Sequence, residues 1–219
     1  MKAVYEMRPS LPRYAETWDV KAVLQFLATK HPASSLPLKD LTLKLVMLAS
    51  LLSGQRGQSI HYLDLNSMTE NDTSFTFTIT NVMKQSKAGT KQPIIKFDAY
   101  TVDERLCIVT LLREYIQRTA PIRGQNTQLF LSYVKPFKQI SRDTVSRWVK
   151  TVMQQAGIDN HKFKPHSTRA ASTLVANLKA VPLDTILEAA GWRNDCVFAK
   201  YYNKTVSKKS FALGVLETL

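Results

Sequence analysis

Residues 165–173 read Pro-His-Ser-Thr-Arg-Ala-Ala-Ser-Thr and open a helical pattern that stops before Pro182. His166 and Arg169 stand one turn apart on that pattern. Side chains at this spacing share a helix face, so an imidazole and a guanidinium point the same way, as is needed to hold both non-bridging oxygens of a phosphodiester. Gly191-Trp192 comes next, and Tyr201 and Tyr202 lie nine and ten residues past that tryptophan. A tyrosine hydroxyl brought against an arginine-held phosphate is a nucleophile beside its electrophile, the chemistry of DNA strand transfer.

Composition agrees with a polyanionic partner. The 219 residues are 44% hydrophobic with only seven glycines, enough for one substantial core and too apolar for a disordered segment. Thirty Lys and Arg against 17 Asp and Glu give a net charge of +13, spread along the whole chain. With a pI near 9.8, this favours a basic face for nucleic acid over a membrane surface. No apolar run reaches the length of a membrane span, and the N-terminus lacks a signal-peptide pattern. Cys107 and Cys196 stand far apart, and His31, His61, His161 and His166 form no metal-binding pair. Neither a disulfide framework nor a zinc site is expected, a reducing compartment fits, and no cofactor is implied.

Residues 1–17, with Pro9 and Pro12, read as an extended arm or linker. Asp19 is placed to cap a helix with Val20, Val23, Leu24 and Leu27 on one face, and Leu38 to about Ser53 is a strongly apolar helix ending at Gly54. Another helix starts near Arg56. Then the period changes. Phe75, Phe77 and Ile79 alternate with threonines, a basic turn region with Lys84, Lys87 and Lys91 intervenes, and Ile94, Ile95 and Phe97 complete a hairpin or small sheet. Helical spacing returns from Val102 to about Thr119, Pro121 ends it, and Leu129 to Ser132 is a short buried strand or turn. Ser141 can cap a helix running through Val145, Trp148, Val149 and Met153 to Gly157. Its other faces carry Arg142, Arg147 and Lys150, either solvated or laid against DNA. Further helices are expected over Leu183 to Ala190, over Val197 to Tyr202, and in the tail, where Phe211, Val215, Leu216 and Leu219 share an apolar face.

Ser53-Gly-Gln-Arg56 with Leu63-Asp-Leu65, Met83-Lys84-Gln85, Arg169-Ala-Ala-Ser-Thr173, and Gly191-Trp192 with Phe198-Ala-Lys-Tyr-Tyr202-Asn-Lys204 together resemble the tyrosine recombinases of the phage-integrase family. Within that family they look most like the recombinases of DIRS-like retroelements in animal genomes. The resemblance covers roughly residues 36–206; each motif is weak alone, and five in the family's order are specific. It implies a mainly α-helical catalytic domain with a small antiparallel sheet, an α+β fold, over residues 18–206, between the arm 1–17 and a tail helix 207–219. It also implies a 3′-phosphotyrosyl intermediate and a free 5′-hydroxyl, with no metal or nucleotide cofactor, because the covalent link conserves the bond energy.

In that resemblance Arg56 and Arg169 are the cations that meet the growing charge of the pentavalent transition state. Arg56 opens the expected helix, where anions are already favoured, although alone it reads as a surface arginine after a turn. The position three residues on, often acidic in the family, is Ser59, which leaves the support of Arg56 open. Lys84 matches the hairpin lysine that touches the minor groove and protonates the leaving 5′ oxygen, with Lys87 the alternative and Lys91 nearby; without the family they read as a solvated hairpin tip. His166 would bond the scissile phosphate or take the tyrosine proton, against a helix-capping role. Trp192 stands where histidine is frequent; its N–H can donate to a phosphate oxygen but cannot shuttle a proton, and a core role is the alternative. The nucleophile is Tyr202 by alignment with Phe198 and Asn203, or Tyr201 by a count of nine from Trp192, the other being a packing aromatic.

The resemblance further implies double-stranded DNA in a basic concave face, a homotetramer on paired sites formed from free monomers, integration of a mobile element, and action in the nucleus. Tail docking on a neighbour or on its own domain is expected, and too few residues precede the core for the family's usual N-terminal DNA clamp. Two other readings use the same residues: a non-catalytic DNA-binding protein derived from a recombinase, and a type IB topoisomerase-like enzyme that relaxes DNA without pairing two sites.

Overall fold

A strongly apolar helix must be wrapped by the rest of the chain, and residues 38–53 form such a helix. The computed structural model describes residues 16–82 and 92–192, together with the backbone of a short strand at 205–206. Its elements run β1 (Glu16–Thr17), α1 (Val20–Ala28), α2 (Leu38–Ser53), α3 (Gly57–His61), β2 (Met68–Asn71), β3 (Ser74–Thr78), β4 (Ile94–Asp98), α4 (Ile108–Thr119), α5 (Arg142–Gln155), α6 (Ser167–Leu178), α7 (Leu183–Ala190) and β5 (Thr205–Val206). This is the expected fold, mainly helical with one small antiparallel sheet. Every residue of α2 from Leu41 to Leu51 is buried, and α4, α5 and α6 pack against it. Among the described residues no helix is long and apolar enough to cross a membrane.

Local signals place the helix ends. The Asp19 carboxylate accepts from the Lys21 amide at 2.9 Å to start α1, and the Ser141 hydroxyl accepts from the Thr144 amide at 3.3 Å to start α5. The helix expected from Val102 begins only at Ile108. Asp103 instead caps a separate 3-10 turn over Glu104–Leu106, after which Cys107 is extended (φ −71°, ψ 108°), so the helical ladder has to restart. Lys44 is the buried charge within α2: it is 3% exposed, its ammonium donates to the Lys30 carbonyl at 2.5 Å, and burial pulls its pKa down to about 8.

The sheet has the order β2-β3-β4, antiparallel throughout. Phe75 faces Phe97 and Phe77 faces Ile95 in register, all four buried, while Ile94 points outward at 63% exposure. The expected hairpin is therefore β3 with β4; the lysines of its connection, Lys84, Lys87 and Lys91, lie outside the described residues. Strand β2 adds an edge whose residues from Thr69 onward are exposed, which is why no alternation marks it in the sequence. Leu129, Phe130 and Leu131 are buried as expected, held by bridges Asp64 to Gln128 and Leu131 to Gln139. The helices expected over Val197–Tyr202 and in the tail also fall outside the described residues.

The last two residues of the arm are extended and pair in parallel with β5, Glu16 opposite Thr205 and Thr17 opposite Val206. Thr17 is buried, and Glu16 forms an ion pair with Lys162. Trp18 follows, buried, and its indole N–H donates to the Ser167 hydroxyl at 2.9 Å. Trp18 thus braces the first residue of α6.

Gly54 ends α2 with φ +59° in the left-handed region, and a Cβ there would sit 3.3 Å from Thr173 Cγ2 and 3.8 Å from Ala190 Cβ. Both the conformation and the close approach of α6 and α7 call for glycine. Gly54→Ala is expected to cost about 1–2 kcal/mol, lowering the thermal midpoint by roughly 3–6 °C in a scan against wild type.

Candidate active site

The turn from α2 into α3, the first half of α5 and the loop entering α6 enclose a cleft of about 640 Å³. Arg56, Gln58, Arg142, Ser146, His166 and Arg169 line it. The structure therefore brings together Arg56, His166 and Arg169, which the sequence holds in two distant motifs.

Each is placed by its local backbone. Arg56 sits at the N-cap of α3 with an extended conformation (φ −75°, ψ 151°), and its side chain is exposed. Because α3 is only five residues long, the helix field expected there is small, and the guanidinium itself is the source of positive potential. His166 occupies the N-cap of α6 but already has helical angles (φ −68°, ψ −13°) and makes no side-chain cap bond. It thus continues the helix to Arg169 and shares its face, while the capping alternative is not adopted. The two differ in depth: His166 is exposed and Arg169 is 3% exposed. The Thr168 hydroxyl donates to the Pro165 carbonyl at 2.7 Å, fixing the entry into the helix.

Trp192 is placed in the core and against the candidate arginine at once. It packs with Ile186 and Ala190 in a small core between α6 and α7, and its ring lies over Arg169 with Cζ 4.2 Å from the centroid. An indole face attracts a guanidinium and keeps its plane fixed. The cation is thereby held in one orientation where an anion can meet it.

The sequence profile of the phage integrase family matches residues 16–208. The chain belongs to the phage integrase family. Among solved structures, XerH recombinase bound to its difH substrate superposes with a TM-score of 0.64 at 16% identity, covering 96% of this chain and 53% of XerH. XerA recombinase gives 0.63 at 16% identity, covering 96% of this chain and 66% of XerA. A lambda integrase dimer on a core site gives 0.55 at 17%, covering 89% and 49%. At these identities the likeness is one of fold, and the chain spans about half to two thirds of the structures it matches. A search of curated protein sequences finds no significant match.

The integrase cleft is electropositive by omission as well as by content. Among the described residues that line it none is acidic, and Arg56, Arg142 and Arg169 all contribute charge. Asp143 stands 3.9 Å from Arg142, but both are exposed, so the pair offsets little. Of the basic residues expected on α5, Arg142 joins the cleft, whereas Arg147 and Lys150 are exposed and do not line it. Arg147 donates to the Thr144 hydroxyl at 3.0 Å. Tyr201 and Tyr202, like Lys84, lie outside the described residues.

Sequence reading missed the neutral members of the site. Gln58 and Ser146 line the cleft without any pattern to announce them. Gln128 acts from behind it: its amide donates to the His61 carbonyl at 2.9 Å and lies 2.8 Å from His61 Nδ1, while its oxygen accepts from the Ile140 amide at 3.1 Å. It thereby ties the end of α3 to the residue before the α5 cap, and so sets Arg142 relative to Arg56.

His61 carries a testable electrostatic signature. Burial, and then the nearby Arg142 charge, hold its pKa below the ordinary 6.5. A depressed histidine binds fewer protons folded than unfolded, so its contribution to stability is complete above about pH 6.5 and is lost as pH falls from there through the folded value. A proton NMR titration should place the His61 midpoint below 6.5, and Arg142→Gln should move it upward; an unmoved midpoint would remove Arg142 as a cause.

Proposed function

We propose that this domain cleaves and rejoins duplex DNA through a 3′-phosphotyrosyl intermediate, as a site-specific recombinase serving integration of a mobile element. The observation that carries the reading is the single cleft holding Arg56, His166 and Arg169, with Trp192 fixing the buried arginine. In the proposed reaction the Tyr202 oxygen, or that of Tyr201, bonds to phosphorus as the bond to the 5′ oxygen breaks. The tyrosine proton passes to a base such as His166, and the leaving 5′ oxygen takes its proton from Lys84. Negative charge grows on the phosphoryl oxygens between Arg56 and Arg169, where fixed cations stabilise the transition state more than the diester. Attack by a 5′-hydroxyl reverses the step.

The fold likeness supports the wider assembly. XerH is seen on its substrate before and after cleavage, and lambda integrase as a dimer on a core site and a tetramer on a Holliday junction. By analogy, free monomers of this chain assemble as a tetramer on paired duplex sites, with the tail 207–219 docking either on a neighbour or on its own domain. The DIRS-like motifs add a retroelement source and action in the nucleus.

A nicked, labelled duplex carrying the terminal sequence of the encoding element should trap a covalent adduct on a denaturing gel. Tyr202→Phe should abolish it and Tyr201→Phe should leave it; the reverse pattern would name Tyr201. Arg56→Ala or Arg169→Ala should slow adduct formation by about 10²–10³-fold. No adduct from wild type that binds the duplex would favour the non-catalytic reading.

Duplex affinity should also fall steeply with salt. If about six phosphates are neutralised, raising salt from about 50 to 200 mM should weaken binding roughly a thousandfold. A flat response in a filter-binding titration would dismiss the basic cleft as the DNA face.

A further inference from the structure

We infer that Gln55 is a positioning residue that keeps the two arginine halves of the cleft in register. Its effect on catalysis rests on the function proposed above; its effect on anion binding does not. Gln55 is 5% exposed and immediately precedes Arg56. Its side-chain amide donates to the Ala189 carbonyl at 2.5 Å, and its side-chain oxygen accepts from the Ser59 hydroxyl at 3.0 Å. Its backbone amide donates to Ser53 Oγ at 3.2 Å, and that hydroxyl donates in turn to the Ala49 carbonyl at 2.6 Å. The residue is thus fixed at the base by α2, on one side by α3 and on the other by α7.

The α7 contact reaches the second arginine. Ala189 lies in the last turn of α7, where the Gly191 amide donates to the Glu188 carbonyl at 2.9 Å and the Trp192 amide to the Leu187 carbonyl at 2.8 Å. These bonds close the helix end, so the height of Ala189 sets the height of Trp192. The Trp192 ring lies over Arg169. A continuous run of short contacts therefore links the turn bearing Arg56 to the plane of Arg169, and the close approach at Gly54 brings the two sides within reach.

Near neutral pH a glutamine side chain satisfies both partners. The carbonyl of Ala189 needs a donor and the hydroxyl of Ser59 needs an acceptor, and a primary amide supplies one of each at this length. Methionine has the length without either function. Ionised glutamate keeps the acceptor, turns a second oxygen on the Ala189 carbonyl, and places a negative charge at the wall of a cleft whose described lining residues include no acid. Protonated glutamic acid recovers the donor.

The test compares wild type, Gln55→Met and Gln55→Glu in the full chain, with three readouts: orthovanadate binding by calorimetry, adduct formation on nicked duplex, and thermal melting. Gln55→Met should weaken orthovanadate binding about tenfold and slow adduct formation similarly, with duplex affinity unchanged, because the arginines are displaced and not removed. Gln55→Glu should be slow near about pH 8 and regain rate relative to wild type as pH falls towards about 5.5, a recovery the methionine variant lacks. Orthovanadate binding equal to wild type in Gln55→Met would overturn the inference. So would losses in both variants that are equal at every pH and track the melting temperature, or a wild-type cleft that binds no orthovanadate. Wild type that binds orthovanadate without forming an adduct would refute the proposed reaction and leave Gln55 to be judged on the anion measurement.

Discussion

A guanidinium at 3% exposure beneath an indole ring is the constraint around which the cleft is arranged. Moving a cation out of water costs several kcal/mol, and the face of the ring returns about 2 kcal/mol or less of that. The fold also holds the helix that carries Arg169 firmly in place. It does so by seating α6 on the deeply buried α2 and closing the α6–α7 side with Ile186, Ala190 and Trp192. Stability generated throughout the core thus supports a positive charge at a wall of the cleft where little water competes for it.

A second buried arginine shows that burial alone does not make a site. Arg123 is 7% exposed, and its guanidinium donates to the Gln128 carbonyl at 2.6 Å, the Thr119 hydroxyl at 2.5 Å and the Leu129 carbonyl at 3.2 Å. Its donors hold the loop that delivers Gln128 to His61 and Ile140. One arginine organises backbone and the other faces the cleft. Both kinds of group are needed, because the position of Arg142 depends on the loop that Arg123 secures.

Much of this was legible in the sequence where a period or a cap carries it. The apolar run 38–53, the Asp19 and Ser141 caps and the His166 to Arg169 spacing all follow from local rules, and the structure follows them. The order of motifs then links Arg56 to Arg169 across the chain. What escaped reading has a common cause. Strand β2 is exposed on both faces from Thr69 onward, α3 is too short to have a period, and Asp103 caps a 3-10 turn in place of the expected longer helix. Gln55, Gln58, Gln128 and Ser146 act through neutral hydrogen bonds or shape between segments distant in sequence. The Gln55 to Ala189 and Gln128 to His61 contacts span 134 and 67 positions, so no local pattern can reveal them.

The bond from Trp18 to Ser167 joins residues 149 positions apart, and β1 finds its partner later still, in β5. Contacts of such separation close large loops and form late. During synthesis the helices around α2 can assemble while Trp18 waits for Ser167 to emerge, so the seat of the buried arginine is completed after the helices that surround it. The order of assembly leaves growing chains strongly basic yet without a finished arginine pair, so the buried charge is seated only after the helices that shield it have formed.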